Sequence, residues 1–454
     1  MRGSGAFRTS VAPGGALAGP WVRNPLWRNA RTVPSLDLQF ADNKSLVDAV
    51  TNQNLVTFTR VQATSNGSTY VGSDGLIKTA GTNEPRFDHN PTTGESLGLL
   101  VEEARTNSIR NNTMVGAVAG TPGTDPTNWI VIAPGNGITK ELVGTGVENG
   151  IAYIDYRYFG TPTATGIFNI QPESVTLAAA ANGQTWTSSY YIKLVNGSLA
   201  NTSLQHWIAG RTIGGSFITN QWSIVTIAPT TASLITQRFA ATYTVTDAAV
   251  AFASTFLRLF YTSGLAIDFT LRIGLPQLEQ GAFATSAIPT TTATVTRAAD
   301  VASITESNFS SWYNQTEGTV FAAFRDLGVG GTRSPYFLSD GSVNNRIGLF
   351  NNITTTVNNR VVSGGAATNP GALSLAASTL NKHAIAVKRE TNGAIAACNG
   401  TLSTAASPAS APVVTQLAIG SFAGTQDYNN APIARLTYWP TRLANTTLQQ
   451  ITQP

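Results

Sequence analysis

Catalysis needs titratable groups brought together, and this chain offers few of them. Its three histidines, His89, His206 and His383, are far apart in sequence, none has a second histidine at metal-ligand spacing, and neither an H-E-x-x-H nor a G-x-S-x-G run occurs. The sequence implies no metal centre, no cofactor and no nucleophilic triad. A polysaccharide depolymerase would need two carboxylates set across one glycosidic bond. Glu102 and Glu103 are adjacent, so on a strand they point to opposite faces and cannot serve one bond. Asp88 with Glu95 is the better pair, yet the segment between them reads as a turn, with Arg86 and Arg105 as charge partners. Cys398, the only cysteine, closes the strand-like run Ala394 to Cys398, which predicts a buried thiol and leaves no intrachain disulfide. These residues point to a protein that is not an enzyme.

Sugar recognition asks for less: an aromatic face under the apolar C–H side of the ring, and polar groups at its rim. Trp207, Trp222, Tyr336 and Trp439 could supply the face, or fill sandwich cores instead. The polar loop Ser339 to Arg346 could supply the rim, so Tyr336, Asp340, Asn345 and Arg346 are the candidate glycan contacts. The loops carry few acids, which argues against a calcium site. A second set lies near the start, where Arg2, Arg8, Arg23, Arg28 and Arg31 all precede the first acid, Asp37. Tryptophan and arginine dominate binding hot spots, so Trp21, Arg23, Trp27 and Arg28 read as a docking surface for another subunit, or else as a disordered tail.

The elements that must position these groups are strands. Charged residues make up 11% of the chain and hydrophobic residues 42%, so Thr, Ser, Asn, Gln and Gly cover the surface. The formal charge of +4 is spread without a basic stripe, which argues against nucleic acid as a partner. No window approaches a membrane span and the N-terminus lacks an apolar signal core, so the expectation is synthesis in a cytoplasm without secretion or membrane insertion. Residues 1–33 lack any apolar period and read as an extended basic arm. Residues 34–112 read as a small β module opening on the alternating run Leu36 to Phe40. Residues 113–289 alternate through Ile151 to Tyr158, Thr187 to Leu194, Phe256 to Tyr261 and Ile267 to Ile273, the pattern of a sandwich. A Thr-rich linker, 290–297, leads to a last β unit, 298–454.

Two stretches carry resemblances. The run "EPRFDHNPTTGE" to "GLLVEEARTN", Glu84 to Asn107, resembles a signature of bacteriophage virion proteins found upstream of tail-fibre and head-spike lectin modules. The ending Gly274 to Gly281, then Thr285 to Pro289, resembles the closing strand of jelly-roll carbohydrate-binding modules in phage proteins. Residues 298–454 resemble a concanavalin-A-like or laminin-G-like sandwich, with Gly318 to Phe324 as an early core strand, Arg346 to Phe350 as a middle one, and Lys382 to Lys388 with Ala394 to Gly400 as its hairpin. Ala434 to Pro440 would close it, followed by a short helix over Leu443 to Ile451. The resemblance implies an all-β virion surface protein, a head spike or fibre subunit. It would be anchored by its arm to other virion proteins, trimeric for avidity, and would display jelly-roll and concanavalin-like domains to host-cell glycan. A tail fibre, a capsid decoration protein without glycan function and a tailspike depolymerase are the alternatives.

Overall fold

The structure, a computed structural model, describes residues 24–61, 67–327, 332–352, 356–408 and 410–454. The fold is almost entirely β, as the strand periods predict. It falls into two compact units, one built from residues 1–58, 97–101 and 301–454, the other from 59–96 and 102–300. The small module expected over 34–112 is thus divided between the units, and the expected linker is part of the second. There Val295–Arg297 pairs antiparallel with Arg105–Asn107, and Thr290 N–H donates to Asn112 Oδ1 at 2.7 Å.

In the first unit one sheet runs, in spatial order, Thr401–Leu402, Ile395–Cys398, Leu380–Lys388, Glu317–Arg325 and Pro432–Trp439, with Leu36–Leu38 also pairing the last of these. The hairpin read from the sequence is present, with His383 opposite Cys398. The thiol is buried, and burial pushes it up to about 12. The second sheet carries Val301–Thr305, Gln416–Ile419, Tyr336–Ser339, Arg346–Asn352 and Thr356–Ser363. The closing helix is Asn445–Ile451.

The N-terminal segment is not an extended arm where it is described. Asn24 caps a helix, Pro25–Ala30, by accepting from Leu26 N–H at 3.1 Å, with Pro at the first helical position. The helix buries Leu26, Trp27 and Ala30 with Phe321, Trp439 and Leu448. Trp27 Nε1 donates at 2.9 Å to Asp37, a fully buried carboxylate that also takes two hydrogen bonds from Arg435 and one from Thr437.

The second unit is a two-sheet sandwich. Its five-stranded sheet is ordered Arg238–Thr244, Thr185–Ser198, Ile267–Gln280, Ile151–Gly160, Ile138–Glu148. The last two strands are joined by Asn149-Gly150, both at positive φ, the two-residue turn whose twist matches a hairpin. The six-stranded sheet contains Phe217–Ile227, Thr202–Arg211, Phe252–Tyr261, Gly166–Gln171 and Ile130–Val131 in that order, with Ala178–Ala179 beside the third. Alternate residues of both sheets, among them Ile154, Tyr158, Leu204, Leu257 and Phe269, fill the core between them.

Candidate glycan-binding face

Strand alternation decides what the six-stranded sheet shows on its outer side. In Thr202–Arg211, Leu204, His206 and Ile208 are buried inward, so Gln205, Trp207 and Arg211 take the other face. Register then assembles a patch from three strands: Trp207 is paired with Phe256 and Ile224, Gln205 with Arg258, Ala209 with Trp222, and Arg211 with Phe217. Trp207 stacks on Phe256 at 5.7 Å between centroids and lies 6.0 Å from Trp222. Phe217 meets Trp207, Trp222 and Phe256 at 5.9 to 6.5 Å. Phe217 is 43% exposed and both tryptophans are half-buried, so the rings keep open surface.

Two guanidiniums lie on this aromatic floor. Arg211 sits 3.4 Å from the Phe217 centroid, and Arg258 sits 4.4 Å from that of Trp207. Each is held by its Nε, which donates to Ser254 Oγ at 2.8 Å and Asn169 Oδ1 at 2.9 Å respectively. Among the described residues neither arginine has a carboxylate partner. Burial, with the nearby positive charge of Arg258, lowers Arg211 to about 10. Such a surface offers apolar faces for stacking and donors at the rim, the two elements of sugar recognition.

The structure brings together two of the four aromatic candidates, Trp207 and Trp222, and separates the others from any ligand. Tyr336 and Trp439 are fully buried in the first unit, so no face of either ring is open to a sugar. The loop groups are engaged in holding their own turns. Asp340 accepts from Ser342 N–H and Asn345 Nδ2, each at 2.8 Å, and Asn345 Oδ1 accepts from Gly364 N–H at 2.9 Å. Arg346 lies over Phe422 and Phe337 at 5.6 and 5.9 Å, rings that are themselves buried. Of the docking set, Trp21 and Arg23 lie outside the described residues and Arg28 is exposed on the N-terminal helix. Trp27 is 7% exposed, packed in the core of its own unit, and has no area left for another subunit.

The carboxylate candidates are also placed. Asp88, half-buried, accepts from Val71 N–H at 2.7 Å, and removal from solvent pushes it up to about 6. Glu95 is exposed beyond a turn capped by Asn90 Oδ1. Glu102 is buried against Arg86 at 2.7 Å and Arg297 at 3.1 Å, whereas Glu103 accepts from Arg105 Nε at 3.1 Å. His206 and His383 are buried, and desolvation lowers each to about 3. Among the described residues no cluster of three His, Cys, Asp or Glu could hold a metal ion, and no helix is long and apolar enough to cross a membrane. A polar cleft of about 750 Å³ between Arg105, Gln184, Trp186 and Gln280 presents a charged pair already neutralised, Glu103 with Arg105.

No family model and no curated protein matches the chain. Among solved structures it is similar over 32% of its length to the CBM40 of the Ruminococcus gnavus IT-sialidase bound to α2,3 sialyllactose, with 15% identity, 88% of that chain covered and a TM-score of 0.29. It is likewise similar over 32% of its length to the NanB sialidase of Streptococcus pneumoniae, with 12% identity, 26% of that chain and a TM-score of 0.28. A third is domain 4 of AbnA, a GH43 extracellular arabinanase of Geobacillus stearothermophilus in complex with arabinotriose, at 11% identity over 34% of this chain and 73% of that one, TM-score 0.28. At these scores the likenesses assign no ligand and no residue role to this chain.

Proposed function

We propose that this chain is a non-enzymatic glycan-binding protein of a bacteriophage particle surface, a spike or fibre subunit, and that the outer face of the six-stranded sheet contacts the sugar. The observation that carries the binding reading is the open aromatic floor of Trp207, Trp222 and Phe217 on a rigid sheet. Rings half sunk in their own sheet are already oriented and lose little entropy on binding, which suits a weak site used many times over on a particle. The virion setting is supported by the Glu84 to Asn107 signature. Trimer formation would raise the avidity of such sites without any new contact.

The test is a glycan array screened with the full chain and with Trp207→Ala and Trp222→Ala. Binding by the native chain should fall about tenfold or more in each variant, the scale of one lost stacking platform. Equal binding by all three would end this reading of the face. Release of new reducing ends from a bound polysaccharide would end the non-enzymatic part, and absence of the chain from purified virions would end the placement.

A further inference from the structure

A buried cation without a counter-charge is costly, and a folded chain ordinarily supplies one. The second unit does so for its fully buried arginines: Arg60 and Arg86 both pair with Asp300, and Arg86 and Arg297 both with Glu102. On the outer face it does not. Arg211 is 6% exposed, yet the only hydrogen bond of its guanidinium among the described residues is the one from Nε to a serine hydroxyl. Arg258 is held in the same manner by an asparagine. In each case the neutral partner and the ring beneath fix the plane of the guanidinium and leave the two terminal nitrogens, four N–H donors, without an acceptor from the described residues. Phe217 is within 6.0 Å of both guanidiniums, so the two charges converge on one place.

We infer that this face takes an acidic glycan, the anionic group of one sugar being held by Arg211 and Arg258 while a ring of that or the next sugar lies on Trp207 and Trp222. The inference rests on the glycan-binding reading of the same face and adds the class of ligand. A carboxylate or a sulfate ester has the acceptor geometry that a guanidinium fork fits. Binding a neutral sugar would leave both cations uncompensated and partly desolvated, so the face discriminates by charge as well as by stacking.

The experiment measures affinity for matched polysaccharides. One pair is polygalacturonate and its carboxyl-reduced form, a second is sialyllactose and lactose, and a third is dextran sulfate with dextran. The native chain should bind an acidic member at least about tenfold more tightly than its neutral counterpart. The pair that shows this separates a carboxylate from a sulfate. Arg258→Gln and Arg211→Gln should each remove the preference, bringing the acidic and neutral members of a pair to within about twofold of one another, while Trp207→Ala weakens both members. Arg211→Lys, which keeps the charge, controls for folding and should restore part of the preference. If Trp207→Ala weakens binding but native and Arg258→Gln chains treat each pair alike, the acidic-ligand inference falls and the glycan face stands. If no variant changes anything, or nothing binds, both fall.

Discussion

Arginines of the second unit occupy two kinds of surroundings. Arg60, Arg86 and Arg297 are fully buried and share two carboxylates, Glu102 and Asp300, with Ser286 donating its N–H and hydroxyl to Glu102 at 2.8 and 2.7 Å. Burial by itself would raise Glu102, but Arg297 and Arg86 outweigh it and hold the carboxyl at about 2. Arg211 and Arg258 lie on aromatic rings with neutral hydrogen-bond partners and, among the described residues, no acid. The first group is closed on itself and holds together segments some two hundred residues apart in the chain; the second has no carboxylate partner among the described residues. Tryptophans divide in the same way, Trp27 with its N–H on a buried carboxylate and Trp207 with an open face. An arginine or tryptophan is therefore informative about binding only once its partners are known.

The largest effects should come from the closed group. Arg86→Ala leaves Glu102 and Asp300 short of a partner and should cost about 3–5 kcal/mol, read from the denaturant midpoint of the transition it shifts. A loss under about 1 kcal/mol would show that the cluster contributes little. Trp27→Ala opens a cavity beside Trp439 and removes one of the donors to Asp37, with a similar expected loss of about 3–5 kcal/mol in the first unit. An unchanged midpoint would return Trp27 to the docking surface.

A smaller effect tests Asp88 by pH. Its carboxyl is raised in the fold to about 6 from an ordinary 3.8, so the folded state holds the proton more tightly. The stabilisation is complete below pH 4 and is lost as pH rises through 6. Asp88→Asn, which can still accept from Val71, should match the native chain at pH 4 and exceed it by about 2 kcal/mol at pH 8. His206 and His383 act in the opposite direction, since depressed values near 3 mean stability present above pH 6.5 and lost as pH falls. Matching pH profiles for native and Asp88→Asn chains would show that Asp88 ionises freely.

The smallest effect should be that of Arg258→Gln on stability, about 1 kcal/mol, because no ion pair among the described residues breaks and what is lost is cation–π contact with Trp207, Phe256 and Phe217 at a half-exposed site. A loss of 3 kcal/mol or more would merge the two groups of arginines and remove the reason to look for an outside anion.

Much of the architecture was legible because strand period is local. The alternating runs Ile151 to Tyr158 and Lys382 to Lys388 are strands, and the closing helix falls where expected. What the Glu84 to Asn107 run does in the fold was not legible. Its Arg86 and Glu102 belong to the buried cluster, and its Asn107 holds Leu278 N–H and Ile288 C=O, so the run is framework. The face was half legible. Trp207 and Trp222 stood out as large aromatics, whereas Arg211, Phe217, Phe256 and Arg258 were anonymous until register set them side by side.

The order of apolar and polar residues along the chain settled an all-β fold, a surface of neutral polar groups and a buried Cys398, since each follows from period two, composition or local burial. Tertiary structure alone decided which charges are answered. Asp300 reaches Arg86 across 214 positions, and Arg211 meets no acid among the described residues. Coulomb energy and desolvation depend on distance and burial in space, which no interval along the sequence records.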